Sequence, residues 1–250
     1  MTNLANGLQV LVTRPEPQAT ELVSLITEQG GNALAWPCLE IKAVDPKIIQ
    51  TEIQKLTPET LAIFVSPNAV KYALGCYKGP VPNTLIAVGQ GTAKALAKFG
   101  LTQVHYPKQA NSEAVLDLPI LHNVENKPIA IFRAQSGREL IADSLKQRGA
   151  IVSYIEVYQR LKLKKNPSEL STRWRQSPFD WVISTSTEGL ESLFEQIQDL
   201  PQDYINKTVV TVMNEKMLHL ATQRGFRTFF IQSADNASII SYLMRFWHER

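Results

Sequence analysis

A chain of 250 residues, 44% hydrophobic and 20% charged, has the composition of an ordinary globular protein, with apolar material for one large or two small cores. Its 26 basic and 23 acidic residues leave only +3 at pH 7, which gives no ground for a nucleic-acid partner but tolerates an acidic small ligand. Cys38 and Cys76 are isolated, so neither a disulfide framework nor a cysteine zinc site is indicated, and reduced thiols in the cytosol are expected.

The first residues, MTNLANGLQVLVTR, lack the basic start and long apolar stretch of a signal peptide. No run approaches the roughly 20 apolar residues that span a bilayer. A cytoplasmic protein without membrane contact is the expectation.

Short β-branched runs alternate with amphipathic stretches along the whole chain, which predicts parallel sheets wrapped by helices. The expected order is strand 9–12, helix 18–28, strand 32–36, helix 46–55, strand 61–65, helix 67–76, strand 84–88, helix 92–99, strand 103–105 and helix 113–118. It continues with strand 128–132, helix 137–148, strand 151–155, helix 167–175, strand 180–184, helix 187–197, strand 208–212, helix 215–224, strand 227–231 and helix 237–248. Ten strands suit two five-stranded sheets. The last helix, with Ile239, Ile240, Leu243, Met244, Phe246 and Trp247, reads as core packing rather than membrane contact, because its polar face is not strongly basic.

The order contains repeats. GLQVLVTRPEPQATELVSLITEQGGNALAWPCL, from Gly7, is echoed by KPIAIFRAQSGRELIADSLKQRGAIVSYIEVY, from Lys127. Arg14 aligns with Arg133 and Gly30 with Gly149, an offset of 119 in both cases (133 − 14 and 149 − 30). A second kind of unit also recurs: AIFVSPNAVKYAL resembles VISTSTEGLESLF, with Ser66 matching Ser186, and LIAVGQGTAKALAKFG resembles VVTVMNEKMLHLATQRG. The chain therefore runs X–Y–X′–Y′. Contiguous lobes would hinge at the polar stretch 119–127. Interleaved lobes would use the extended, charged joints 37–44 and 156–165 as paired linkers, and these equivalent joints favour interleaving. The fold expected is α/β: two doubly wound parallel-sheet lobes, one from 1–37 plus 163–250 and one from 43–157, joined by a two-stranded linker at 38–42 and 158–162.

In such sheets ligands collect beyond the carboxyl ends of the strands, where helices begin and unpaired N–H groups attract anions. The candidates there are Thr13 and Arg14, Ser66 and Asn68, and Gly89 and Thr92. Ser112, then Arg133, Ser136, Gly137 and Arg138, and finally Ser186 and Thr187 complete the set. Each has a plainer use. Ser66 before Pro67 reads as a helix cap, Ser136-x-x-Glu139 and Thr185-x-x-Glu188 as capping boxes, and Gly89-Gln90-Gly91-Thr92 as a tight turn rather than a phosphate loop. Arg14 and Arg133 have no capping task at a helix start, although either could pair with an acid such as Glu16 or Glu139. Tyr158 ends the second repeat at a linker, either lining a cleft or bracing the joint as a half-buried aromatic. His105, His122, His219 and His248 share no metal-like spacing, and no nucleophile elbow is present.

Taken in order, VLVTRPEPQATELVSLITEQGG, PCLEI, FVSPNAV, AVGQGTAKAL, Asn111-Ser112-Glu113, FRAQSGRELIADSLKQRGA, IEVYQR and STSTEGLESL resemble the uroporphyrinogen-III synthase family across nearly the whole chain. The resemblance implies interleaved lobes with an active site in the cleft between them. It implies a lyase of tetrapyrrole and heme biosynthesis, acting as a monomer without metal or organic cofactor. The substrate would be hydroxymethylbilane, a linear tetrapyrrole polycarboxylate, closed to uroporphyrinogen III with loss of water and inversion of ring D through a spirocyclic pyrrolenine. Tyr158 would assist departure of the hydroxyl. A second Gly-x-x-Thr turn found in many members is replaced here by Met213-Asn214-Glu215-Lys216, with Lys216 at the position matching Thr92.

Two other readings stand beside it. One is a cytoplasmic two-lobe binding or sensor protein for an acidic ligand. The other, a nucleotide-dependent enzyme, is weakened by the absence of a glycine fingerprint after either repeated strand.

Overall fold

The structure is a computed structural model that describes residues 7–248, with side chains except at 167 and 246–248. The chain runs β1 (Gln9–Val12), α1 (Gln18–Glu28), β2 (Asn32–Ala35), β3 (Leu39–Ala43), α2 (Pro46–Gln54), β4 (Leu61–Phe64), α3 (Pro67–Cys76), β5 (Thr84–Ala87), α4 (Gln90–Ala97), β6 (Val104–His105) and α5 (Ser112–Leu116). It continues through β7 (Pro128–Ala134), α6 (Leu140–Gln147), β8 (Ile151–Lys162), α7 (Pro167–Gln176), β9 (Trp181–Ile183), α8 (Thr187–Gln196), α9 (Gln202–Ile205), β10 (Val209–Val212), α10 (Glu215–Arg224), β11 (Arg227–Phe230) and α11 (Asn236–His248). Among the described residues no helix is long and apolar enough to cross a membrane.

Two compact units result, one from residues 1–41 and 161–250, the other from 42–160. The first holds a five-stranded sheet in the order β11-β10-β9-β1-β2, the second a six-stranded sheet in the order β3-β8-β7-β4-β5-β6. Strand β1 pairs in parallel with β2 and β9, and β7 pairs in parallel with β8 and β4. The first strand of each X unit thus lies beside the first strand of a Y unit: X with Y′ in one sheet, X′ with Y in the other. Both sheets reverse their winding there, at β1/β9 and at β7/β4. A contiguous split hinged at 119–127 does not occur, because β4 and β7, on either side of that stretch, lie in one sheet.

The sheets number five and six strands rather than five and five. Residues 39–43, expected as a connecting linker, form β3 against β8, and β8 runs on to Lys162. The alternation of Leu39, Glu40 and Ile41 was a strand pattern whose pairing partner lies over a hundred residues away. The chain passes from the first unit to the second within β3 and returns within β8.

Burial on both sheet faces explains the unbroken apolar runs. In the first unit Leu11, Val182, Val210 and Val212 enter one core cluster, while Val10, Val12, Trp181, Ile183 and Val209 enter the other. Successive strand side chains alternate faces, so both clusters need their own apolar set. Each fully buried Val, Leu or Ile contributes about 1.5–3 kcal/mol. Ile239 and Leu243 of α11 are buried in the second of these clusters; the side chains of Phe246, Trp247 and His248 lie outside the described ones. In the second unit the register places Phe64 opposite Phe132, and their rings stack at 4.3 Å between centroids.

The repeat extends to helix ends. Gly30 and Gly149 follow α1 and α6 with φ of 88° and 82°, a left-handed conformation that closes the helix by bonds from Gly31 N–H to the Ile26 carbonyl and from Ala150 N–H to the Leu145 carbonyl. Helix α6 begins at Leu140, three residues later than expected, and residues 135–139 are exposed loop.

Candidate functional site

Parallel strands place all their carboxyl ends on one edge of a sheet, so each unit has one rim where helices begin. In the first unit that rim carries Thr13, Arg14 and the segment Ser184–Thr187. Thr13 is buried, and both its N–H and its hydroxyl donate to the Ile183 carbonyl, at 3.0 and 3.1 Å. Its side chain fastens β1 to β9. Ser186 caps α8, its Oγ accepting the Gly189 N–H at 3.1 Å, with half-buried Thr187 following in the first turn. The cap is therefore Ser186, not the expected box beginning at Thr185, because Ser186 is the last extended residue before the helix.

Arg14 is 8% exposed. Its Nη1 donates to Asn236 Oδ1 at 2.7 Å and its Nη2 to Gln18 Oε1 at 3.0 Å, while Nε is buried without a hydrogen-bond partner among the described residues. The alternative of a pairing with Glu16 is not realised, since that carboxylate accepts from Thr20 instead. Burial lowers the Arg14 pKa from its usual value, against the opposing fields of Glu21 and Asp235. The guanidinium is thus a desolvated cation held by neutral amide oxygens.

In the second unit Ser66 caps α3 in the same way as Ser186 caps α8, its Oγ accepting the Ala69 N–H at 3.1 Å. Asn68 follows, half-buried, in the first turn. Ser66 Oγ also lies 3.1 Å from the Tyr158 hydroxyl, which Arg160 Nη2 approaches at 3.4 Å. Tyr158 is 1% exposed and stacks on Tyr72 at 5.7 Å. It is fully rather than half buried.

Gly89 is not in a tight turn. Its backbone is extended at the start of α4, and a Cβ there would stand 2.5 Å from the Ala110 Cβ, so only glycine admits that approach. Buried Thr92 follows one turn on. Asn111 caps α5 by accepting the Ala114 N–H at 2.7 Å, leaving Ser112 half-buried behind it.

At the end of β7, Arg133 is 5% exposed; its Nε donates to the Ala134 carbonyl and its Nη1 to Glu139 Oε1 at 2.9 Å. The guanidinium lies 4.4 Å from the Tyr154 ring centroid, and the Tyr154 hydroxyl donates to the other Glu139 oxygen. That bond, with Arg133 assisting, holds the Glu139 carboxyl below its usual range. Burial and Glu139 together push the Tyr154 hydroxyl up to about 12. Ser136, Gly137 and Arg138 lie exposed in the loop before α6. The expected Ser136–Glu139 capping box does not form, because Glu139 is committed to Arg133 and Tyr154 and the helix starts beyond it.

Met213–Lys216 keeps a cap without threonine: Asn214 Oδ1 accepts the Met217 N–H at 2.9 Å, and Lys216 pairs with Glu191 of α8 at 3.2 Å. Sequence reasoning missed Gln18, Asn236, Tyr154 and Arg160. Gln18 sits one helical turn from Arg14 and was open to inspection; Asn236 is 222 residues away and carries no local signal. Among the described residues no group of three or more His, Cys, Asp or Glu is placed to hold a metal ion.

Each rim therefore presents buried cations, capped helix starts and hydroxyl groups, a donor-rich edge that suits an anionic ligand. The family model described as "Uroporphyrinogen-III synthase HemD" matches residues 20–240. The chain is 32% identical over 238 residues to the uroporphyrinogen-III synthase of Salmonella typhimurium, covering 92% of this chain and 96% of that one. It is 32% identical over 239 residues to the protein of the same name from Escherichia coli, with the same coverage of 92% and 96%. In fold it is similar to a mutant uroporphyrinogen III synthase from the extremely thermophilic bacterium Thermus thermophilus (TM-score 0.68, 16% identity, 98% of this chain and 100% of that one). It is likewise similar to the uroporphyrinogen-III synthetase of Helicobacter pylori (TM-score 0.60, 14% identity, 96% and 99%).

Proposed function

Because this chain belongs to the uroporphyrinogen-III synthase family, we propose that it cyclises hydroxymethylbilane to uroporphyrinogen III as a lyase, with loss of water and inversion of ring D. The observation that carries the reading from the structure's side is the twice-built rim, with a buried arginine at the end of each X-type first strand and a capping serine after the Y-type strand paired with it. A bilane with acetate and propionate side chains needs many hydrogen-bond donors, and each rim offers a set of them.

The substrate is already activated, since an electron-rich pyrrole expels its own hydroxyl. The protein has to assist departure, stabilise the resulting cation and fold the chain so that the substituted carbon of ring D attacks. Arg14, Ser186 and Thr187 in one unit and Ser66, Asn68, Ser112, Arg133, Ser136, Gly137 and Arg138 in the other are the groups we assign to carboxylate binding. Thr13, Gly89 and Thr92 shape the rims, through the Ile183 carbonyl bond, the approach to Ala110 and the first turn of α4. Tyr158 is assigned as hydrogen-bond donor to the leaving hydroxyl, reached by exchanging its bond to Ser66. The phenol would act by placement, donating its hydrogen bond to the departing oxygen. The protein is taken to work as a cytoplasmic monomer without a nucleic-acid partner, in keeping with its small net charge and its two free thiols.

The test supplies freshly generated hydroxymethylbilane and resolves the oxidised products by isomer. The type III isomer is expected in excess. Type I alone, the product of spontaneous closure, would exclude the reading.

A further inference from the structure

The two repeated arginines differ in what answers their charge. Arg14 is held by two neutral amide oxygens. Arg133 is held by a carboxylate, Glu139, whose side chain is 53% exposed although the guanidinium it binds is buried. In the repeat alignment Glu139 corresponds to uncharged Thr20 (139 − 119), so the carboxylate belongs to the second copy alone. It is tethered at both oxygens, one by Arg133 Nη1 and the other by the Tyr154 hydroxyl, and it sits at the end of the exposed loop 135–139. A Cβ at Gly137 would lie 3.1 Å from Arg133 Nη2, so this loop runs close over the guanidinium.

We propose that Glu139 is a built-in stand-in for a ligand carboxylate: it fills the anion place on Arg133 when the rim is empty and swings into water when a substrate carboxylate takes over Arg133 Nη1. This rests on the polycarboxylate reading above and adds a specificity device to it. A buried guanidinium left unpaired is costly, and a tethered carboxylate removes that cost in the empty protein. Exchange of one carboxylate for another remakes the same charge-assisted bond, while Glu139, already half in water, loses little on release. A side chain on a short tether competes at an effective concentration in the millimolar range. A lone carboxylate of ordinary affinity cannot displace it; a ligand anchored elsewhere by several other carboxylates can. Glu139 thus discriminates against small monocarboxylates. Lys146, whose Nζ lies 6.0 Å from the Tyr154 ring centroid, keeps the place positive during the exchange.

The experiment compares wild type with Glu139→Gln, Tyr154→Phe and Glu139→Gln/Arg133→Met. Binding of mellitate, a benzene hexacarboxylate, and of benzoate is measured by calorimetry, and kcat and KM are measured with hydroxymethylbilane. Glu139→Gln is expected to bind mellitate about tenfold tighter, to gain measurable benzoate binding and to lower KM with kcat within about twofold. Tyr154→Phe, which releases one tether and keeps the ring, is expected to shift mellitate binding the same way by less. The gain is expected to vanish in the double variant; should that chain fail to fold, the Tyr154→Phe result carries the decision. Unchanged or weaker mellitate binding in Glu139→Gln would overturn the proposal, as would a gain that survives loss of Arg133. Mellitate reads the exchange without the reaction. Tighter mellitate binding with only type I product would sink the synthase reading and leave the exchange standing; type III product with no change in mellitate binding would do the reverse.

Discussion

The Tyr158 hydroxyl lies 3.1 Å from Ser66 Oγ, so the aromatic near the end of β8 is tied to the serine that starts α3. Tyr158→Phe keeps the ring stacked on Tyr72 and the buried shape, and removes only the polar contact. Stability should fall by about 1 kcal/mol, the net worth of one hydrogen bond. Turnover should fall on the order of 10²-fold, with KM little changed. Denaturant melts and initial rates measure the two separately, and an unaltered kcat would take Tyr158 out of the reaction.

Arg14 has no carboxylate in ion-pair contact among the described residues, and burial lowers its pKa. A buried cation served only by amides is a poor contributor to stability. Arg14→Met, similar in length and apolar, should therefore leave the denaturation midpoint unchanged or raise it, while KM for the bilane rises about tenfold or more. A sharp loss of stability with normal KM would mean that the arginine serves the fold.

Gly89→Ala places a methyl group 2.5 Å from the Ala110 Cβ. Overpacking of that kind costs about 1–3 kcal/mol. Because the clash has one named partner, adding Ala110→Gly to the same chain should recover more than half of the loss in urea denaturation. No recovery would mean that glycine is required at 89 for another reason.

Asp235 accepts the Ser238 N–H at 2.9 Å at the start of α11 and the hydroxyls of Ser233 and Ser238, and these bonds lower its pKa from 3.8 to about 2, Ser233 first. A depressed carboxylate pKa stabilises the fold above the unfolded value and loses that stabilisation as pH falls through the folded one. Asp235→Asn should cost about 1 kcal/mol or less at pH 7, a capping contribution screened by solvent. The gap from wild type should stay constant down to about pH 5 and close between pH 4 and 2. A gap that persists at pH 2 would assign the effect to shape rather than charge.

Local pattern made most elements legible. Helices Gln18–Glu28, Pro67–Cys76 and Glu215–Arg224 have the bounds their sequence dictates: all three have proline or polar starts that coincide with apolar spacing, and the first and last also have a left-handed glycine just past their ends. Helix α9 and strand β3 carry too little local pattern to be legible, being four and five residues long. The rim was legible as a set of positions, since strand ends and helix starts are local features. Its bonding was not: Ser66 to Tyr158 spans 92 residues and Arg14 to Asn236 spans 222.

By itself the sequence determined the alternation of strand and helix, the duplication and the two arginines at equivalent strand ends, because hydrophobic period and repeat offset need no knowledge of distant neighbours. Only the tertiary structure decided which copy of each unit shares a sheet, that β3 belongs to the second sheet, and that one arginine is answered by amides and the other by a carboxylate. Those outcomes depend on which groups the fold brings within hydrogen-bonding reach of one another, and a guanidinium reads the same in a chain whether an amide or a carboxylate will face it.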